Sequence, residues 1–184
     1  MRRETGSNRR GRSSRSTING GRRQRCIVPG RTLHVVDVEN LNGSAQCLQP
    51  DVTAVCLRYR HVAGFRRGDH EVLASSHFAA ESGALYGWDG HPQWKLRSGE
   101  HGADLELLEV LRPEMIIGHF DRIVIASGDG IFARPCLDLW REGIDITVVA
   151  RNAAALSGRI RGVATDIRFL DTFDSYGDDL AVAI

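Results

Sequence analysis

Apolar runs of strand length alternate with helical periods from residue 32 to about residue 170, and this alternation limits the folding options of the chain more than any other feature. Strands are predicted near 33–38, 70–75 (HEVLAS), 93–97 (QWKLR), 122–127 (RIVIAS), 145–150 (DITVVA) and 165–170. Between them, PDVTAVCLRYRHVAG places Val52, Val55, Cys56, Tyr59, Val62 and Ala63 on one helical face, with Pro50 and Asp51 as start signals. IFARPCLDLWREG places Phe132, Cys136, Leu139 and Trp140 on one face, and Gly143 sits where a left-handed cap is wanted. Strand-helix alternation of this kind specifies an α/β fold, a three-layer α/β/α sandwich with a mainly parallel central sheet. At 184 residues and 42% hydrophobic, the chain can fill the core of one such domain, predicted over 32–172.

The net charge of +1 conceals a division. Residues 1–31 carry ten arginines and one glutamate, whereas the rest carries 14 basic and 22 acidic side chains. The Arg, Ser and Gly-rich leader has almost nothing to bury, which predicts disorder, and its charge suits a basic arm for nucleic-acid phosphates or a solvated tail. Residues 173–184 read as an acidic flexible tail. The leader lacks the apolar stretch of a secretion signal, and no run reaches membrane-spanning length. Cys26, Cys47, Cys56 and Cys136 make no CxxC pair, so reduced thiols and a cytoplasmic location are expected, with Cys56 and Cys136 in the core.

In open parallel sheets, ligands bind beyond the carboxyl ends of the strands. Asp37, Glu39 and Asn40 fall at such an end, as do Ser75, Ser76 and His77, Ser127 and Asp129, and Arg151 and Asn152. A further carboxylate comes from a helix: in HGADLELLEVLRPEM, Asp104 lies inside the apolar face formed by Ala103, Leu107, Leu108, Val110 and Leu111, while Glu106 and Glu109 point away. A core-facing carboxylate is costly unless something meets it. Were Asp37, Asp104 and Asp129 to converge, their repulsion would call for protons or a hard divalent cation, Mg²⁺ or Mn²⁺. A cation of that kind serves phosphodiester hydrolysis. Singly, Asp129 is equally suited to capping a helix and Asp104 to facing a helix dipole.

VDVENL (36–41), GADLELLEVL (102–111) and IASGDGIFARPCLDLWREGIDITVVAR (125–151) together resemble the NYN domain of the PIN-like nuclease superfamily, over about Leu33 to Leu170. The resemblance implies a Rossmann-like nuclease fold and metal-dependent endonucleolytic cleavage of RNA by an acidic cluster. On matching positions, Asp37, Asp104 and Asp129 are the implied catalytic and metal-binding residues, and Asn40 is the accompanying amide. Asn40, Ser127, His77, Arg151 and Arg159 are the expected substrate contacts, with Arg161 a further candidate for backbone phosphates. The family's second aspartate, two positions after the first in S-G-D-x-D-F, is Ile131 here. Its replacement keeps open a non-catalytic RNA-binding or partner-binding module on the same fold. GDGIFA (128–133) also matches the dinucleotide fingerprint G-x-G-x-x-A, which suggests an oxidoreductase, but that motif sets Asp129 where a pyrophosphate belongs and leaves Asp37 and Asp104 unexplained.

Overall fold

A strand such as TLHVVD, largely apolar and with its His34 and Asp37 held by polar partners, sits where both faces are covered. In the computed structural model, which describes residues 30–173, β1 (Thr32–Asp37) is buried along its whole length. It is followed by α1 (Val38–Asn42), α2 (Gln49–Ala63), β2 (His70–Ser75), α3 (His77–Ala79), a π-turn over Ala80–Ala84, α4 (Leu85–Gly87) and β3 (Gln93–Leu96). Then come α5 (Gly102–Val110), α6 (Pro113–Ile116), β4 (Arg122–Ala126), a 3₁₀ turn (Gly130–Phe132), α7 (Ala133–Arg141), β5 (Asp145–Ala150), α8 (Gly158–Arg161) and β6 (Asp166–Phe169).

The strands form one six-stranded sheet in the order β3-β2-β1-β4-β5-β6, and every pairing is parallel. From β1 the chain moves outward to β2 and β3, returns to place β4 on the other side of β1, and moves outward again. The sheet therefore reverses its order between β1 and β4, at the crevice where open parallel sheets bind ligands. On one face Leu33, Val35, Val72, Ile123, Ile125 and Ile146 pack against α5, α6, α7 and α8. On the other, Val36, Leu73, Val124, Ala126 and Val149 pack against α1 and α2. Each fully buried Leu, Ile or Val contributes about 1.5–3 kcal/mol. The result is the expected three-layer α/β/α sandwich.

Two helices follow their predicted faces closely. Val52, Val55, Cys56, Tyr59 and Ala63 of α2 are buried, with Val62 at the margin. In α7, Cys136 and Leu139 are buried behind Phe132, but Trp140 is 50% exposed, because the apolar stripe is narrower than the reading of one shared face assumed. Gly143 has a φ of 87° after the helix, as a left-handed cap requires. The stretch 77–87, for which no element was predicted, wraps as short helical pieces broken at Gly83. Among the described residues, Cys47, Cys56 and Cys136 are free and buried, and burial pushes the Cys136 thiol up to about 12. No helix of the described residues is long and apolar enough to cross a membrane. The predictions for the basic leader fall outside the described residues except at Gly30 and Arg31, as do those for the acidic tail beyond Phe173.

A polar group interrupts the face under α2. His34 of β1 accepts at Nδ1 from the Tyr59 hydroxyl (2.6 Å) and faces Asp69 Oδ2 through Nε2 (3.3 Å). The carboxylate can only accept, which assigns the proton to Nε2. Burial holds His34 down at about 4 despite that carboxylate.

Candidate active site

Because β-strand side chains alternate, Asp37 shares the sheet face of Leu33 and Val35, the face on which α5 lies. The strand ends there and the chain turns directly into α1, with Asp37 as its cap: Oδ1 accepts from the Asn40 amide at 3.1 Å. Asn40 in turn ties β1 to β4, since its Oδ1 accepts from the Gly128 amide at 3.0 Å. Ser127, fully buried, donates from Oγ to Asp37 Oδ2 at 3.5 Å and accepts from the Asp129 amide at 3.2 Å. Asp129 caps the following 3₁₀ turn, accepting from the Ile131 amide at 2.9 Å.

α5 delivers Asp104 in its first turn, buried as its place in the apolar face predicted. The helix can start so close to β3 because residue 102 is glycine, where a Cβ would lie 2.2 Å from the Arg97 carbonyl oxygen. Before it stands His101 with a φ of 57°, the one non-glycine residue of positive φ among the described residues. That conformation is uncommon for a side-chain-bearing residue and concentrates at functional positions. It brings His101 Nδ1 to 3.1 Å from Asp104 Oδ2.

These side chains share a cavity of about 250 Å³ lined by Asp37, Glu39, Asn40, Ser76, Arg97, His101, Asp104 and Asp129. The three aspartates singled out from sequence therefore line one cavity, with a fourth carboxylate, Glu39. Strand alternation would set Glu39 beside Asp37; in the fold it belongs to α1, and Oε1 accepts from the Ser76 amide at 2.6 Å. Burial, followed by the charges of Asp104, Glu39 and Asp129, raises the Asp37 carboxyl to about 7 against the hydrogen bond from Asn40. Asp104 is raised as well, by burial and by Asp129, although hydrogen bonds to His101 and Asp37 oppose the shift. Asp37 and Asp104, both raised and lining the same cavity, are thus carboxyls that favour taking up a proton or a cation.

Among the described residues, no group of three or more His, Cys, Asp or Glu is drawn together as a ready metal shell. The donor chemistry still fits a hard divalent ion, which binds through one or two carboxylates and keeps its remaining positions for water and substrate oxygens. Asp37 and Asp104 would be those carboxylates.

A second cavity of about 540 Å³ shares Asn40 and Asp129 with the first and is lined further by Ser157 and Arg159. Gly128 lets the 153–157 loop close against it: a Cβ there would lie 2.0 Å from the Ala155 carbonyl oxygen, and Ser157 N donates to Gly128 O at 2.8 Å. The glycines of GDGIFA thus admit a neighbouring loop, and the Asp129 carboxylate occupies the amide that a pyrophosphate would need. Arg159 lines this second cavity; Arg151 lines neither and packs against Gly43 at the end of α1. His77 stands outside both, its Nδ1 3.0 Å from Ser98 Oγ. Ile131 also lines the second cavity. Sequence reasoning missed Arg97 and His101, which reach the cavity from a loop with no motif; the unusual HGAD start of the helix was the available signal.

No family model matches the chain, and no curated protein matches it. Among solved structures, it overlaps a Vibrio parahaemolyticus protein of unknown function at 14% identity and a TM-score of 0.44, covering 75% of this chain and 91% of that one. The MAR1 ribonuclease from Caenorhabditis elegans overlaps at 11% identity and a TM-score of 0.38, with 78% of each chain covered. The Escherichia coli YcaC gene product, an octameric hydrolase of unknown specificity, overlaps at 15% identity and 0.40, with 82% of each covered. Overlaps this loose decide neither kinship nor chemistry, which leaves function to be argued from the side chains.

Proposed function

We propose that this chain is a divalent-cation-dependent endoribonuclease whose centre is the cavity at the carboxyl edge of β1 and β4. The observation that carries the reading is that Asp37 and Asp104, both raised by burial and by neighbouring carboxylates, line one cavity together with Glu39 and Asp129. Uncompensated, so much negative charge in so small a space is unfavourable. The motifs that resemble the NYN domain supply the choice of RNA.

In this reading Asp37 and Asp104 hold Mg²⁺ or Mn²⁺, which on binding would offset the carboxylate charge and supply Lewis acidity toward a phosphodiester. The chain's own groups do the positioning. Asn40 and Ser127 fix the Asp37 carboxyl through hydrogen bonds to its cap and its Oδ2, and His101 fixes Asp104. Asp129, which lines the same cavity and caps its own turn, is the group that would accept a proton from an attacking water. Arg159 in the adjoining cavity is placed to meet a neighbouring phosphate.

The test is cleavage of labelled single-stranded and structured RNAs with Mg²⁺, Mn²⁺ or EDTA by wild type and by Asp37→Asn. Metal-dependent cutting that the substitution reduces at least a hundredfold is expected. RNA bound equally by both proteins and cut by neither assigns the cavity to a binding module, a reading that Ile131 favours because it removes one carboxylate of the implied set.

A further inference from the structure

His101 occupies the N-cap of α5 in a left-handed conformation, yet the helix takes no cap from its side chain. An N-cap side chain ordinarily accepts from an amide of the first turn. Here the backbone alone serves the helix, the His101 carbonyl oxygen accepting from Leu105 N at 2.9 Å. The imidazole is directed instead to Asp104 in the wall of the acidic cavity, with Nδ1 3.1 Å from Oδ2. Its other nitrogen, Nε2, lies toward solvent and the exposed Glu100 carboxylate at 3.8 Å, so the ring proton can reside there and leave the Nδ1 lone pair to the cavity.

Two properties of this contact bear on the identity of a cation. The first is its length: neighbouring ligands of an octahedral ion with bonds of about 2.1 Å stand about 3.0 Å apart, and Nδ1 and Oδ2 are already spaced like one edge of such a shell. The second is its chemistry. Mg²⁺ takes oxygen ligands and gives up water reluctantly, so a nitrogen donor adds little to its binding. First-row transition ions accept imidazole far more readily. Asp37, lining the same cavity, offers a further carboxylate.

We infer that His101 Nδ1 is itself a metal ligand, and that with Asp104 and Asp37 it makes a mixed nitrogen and oxygen site selecting a first-row transition ion over Mg²⁺. That a divalent cation binds in this cavity rests on the ribonuclease reading above; the imidazole ligand and the choice of ion go beyond it. The contact that fixes Asp104 in the ion-free protein is then the same edge that an ion spans, and the left-handed backbone of His101 is what sets that edge in place.

The experiment is binding of Mn²⁺ to the full chain without RNA, Mn²⁺ being the weakest binder of its row and so the most demanding probe. Affinity is read from the loss of the free-ion electron paramagnetic resonance signal, with Mg²⁺ as competitor, and the bound ion is examined by electron spin echo envelope modulation for a coupled imidazole nitrogen. Wild type and His101→Asn are compared after circular dichroism has shown that both are folded; asparagine is chosen because it tolerates a positive φ. Wild type is expected to bind Mn²⁺ at least about tenfold more tightly than Mg²⁺ and to show the nitrogen coupling. His101→Asn should lose the coupling and most of the preference, with its Mg²⁺ affinity within about twofold of wild type. No Mn²⁺ binding by wild type, bound Mn²⁺ without nitrogen coupling, or a preference unchanged in His101→Asn would each overturn the inference. An equal loss of affinity for both ions in that variant overturns it too, since it would show that His101 only orients Asp104. Nitrogen-coupled Mn²⁺ in a protein that cuts no RNA leaves the metal site and removes the ribonuclease; cutting that Mg²⁺ supports as well as Mn²⁺, in a wild type without nitrogen coupling, does the reverse.

Discussion

Two buried groups on β1, three residues apart, depend on pH in opposite senses. Asp37 is raised from 3.8 to about 7, so its contribution to stability is complete below its unfolded value and is lost as pH rises through the folded one. His34 is lowered from 6.5 to about 4, so its contribution is complete above pH 6.5 and is lost as pH falls toward 4. Every tenfold change in proton affinity between the folded and unfolded chain corresponds to about 1.4 kcal/mol, and over pH 4 to 6.5 the two contributions largely offset one another. Asp37→Asn removes only the first, so urea unfolding in EDTA should show a variant whose stability climbs from pH 4 to 6.5 where wild type is nearly level; parallel profiles would show that Asp37 is not the raised carboxyl. At this scale the sequence revealed Asp37 and Asp104 because a carboxylate in an apolar pattern is conspicuous in one dimension. Glu39 followed from its place at the end of β1, whereas Arg97 and His101 join the cavity through contacts between distant segments, which only the unusual start of the helix at HGAD hinted at.

Among the elements, the strands were the most legible because a covered parallel sheet writes its strands as continuous apolar runs. The helix faces of α2 and α5 followed from their 3.6-residue period. The stretch 77–87 was not legible, since its short pieces are held by packing against α2 rather than by a periodic pattern of their own. The loop contacts around the site give a sharp comparison. Gly128→Ala puts a Cβ into the Ala155 carbonyl, and neither backbone can move cheaply, so a loss of several kcal/mol in thermal or chemical unfolding is expected together with loss of the cavity. Gly158→Ala, at the first position of α8 with nothing within 4 Å, should be neutral or stabilising by about 0.5 kcal/mol. Equal melting temperatures for the two variants would contradict this account of Gly128.

Taken as a whole, the molecule concentrates acidic charge at one end of the sheet, and a cation that binds the folded state alone must stabilise it by mass action. At a hundred times its dissociation constant the gain is about 2.7 kcal/mol. At pH 8, added Mn²⁺ should therefore raise the melting temperature of wild type and leave that of Asp37→Asn unmoved; an equal rise in both would place the ion elsewhere. The charge division between the basic leader and the acidic body was plain in the sequence, whereas the order β3-β2-β1-β4-β5-β6 was not, because periodicity names strands and leaves their neighbours open. That order has a bearing on biosynthesis. A chain emerging from the ribosome exposes Asp37 early and Asp104 later, but the wall formed by Ser127 and Asp129 exists only once β4 has been made and has slotted in beside β1. Under the proposed function, the growing polypeptide is harmless to the messenger that encodes it until most of the domain has been translated.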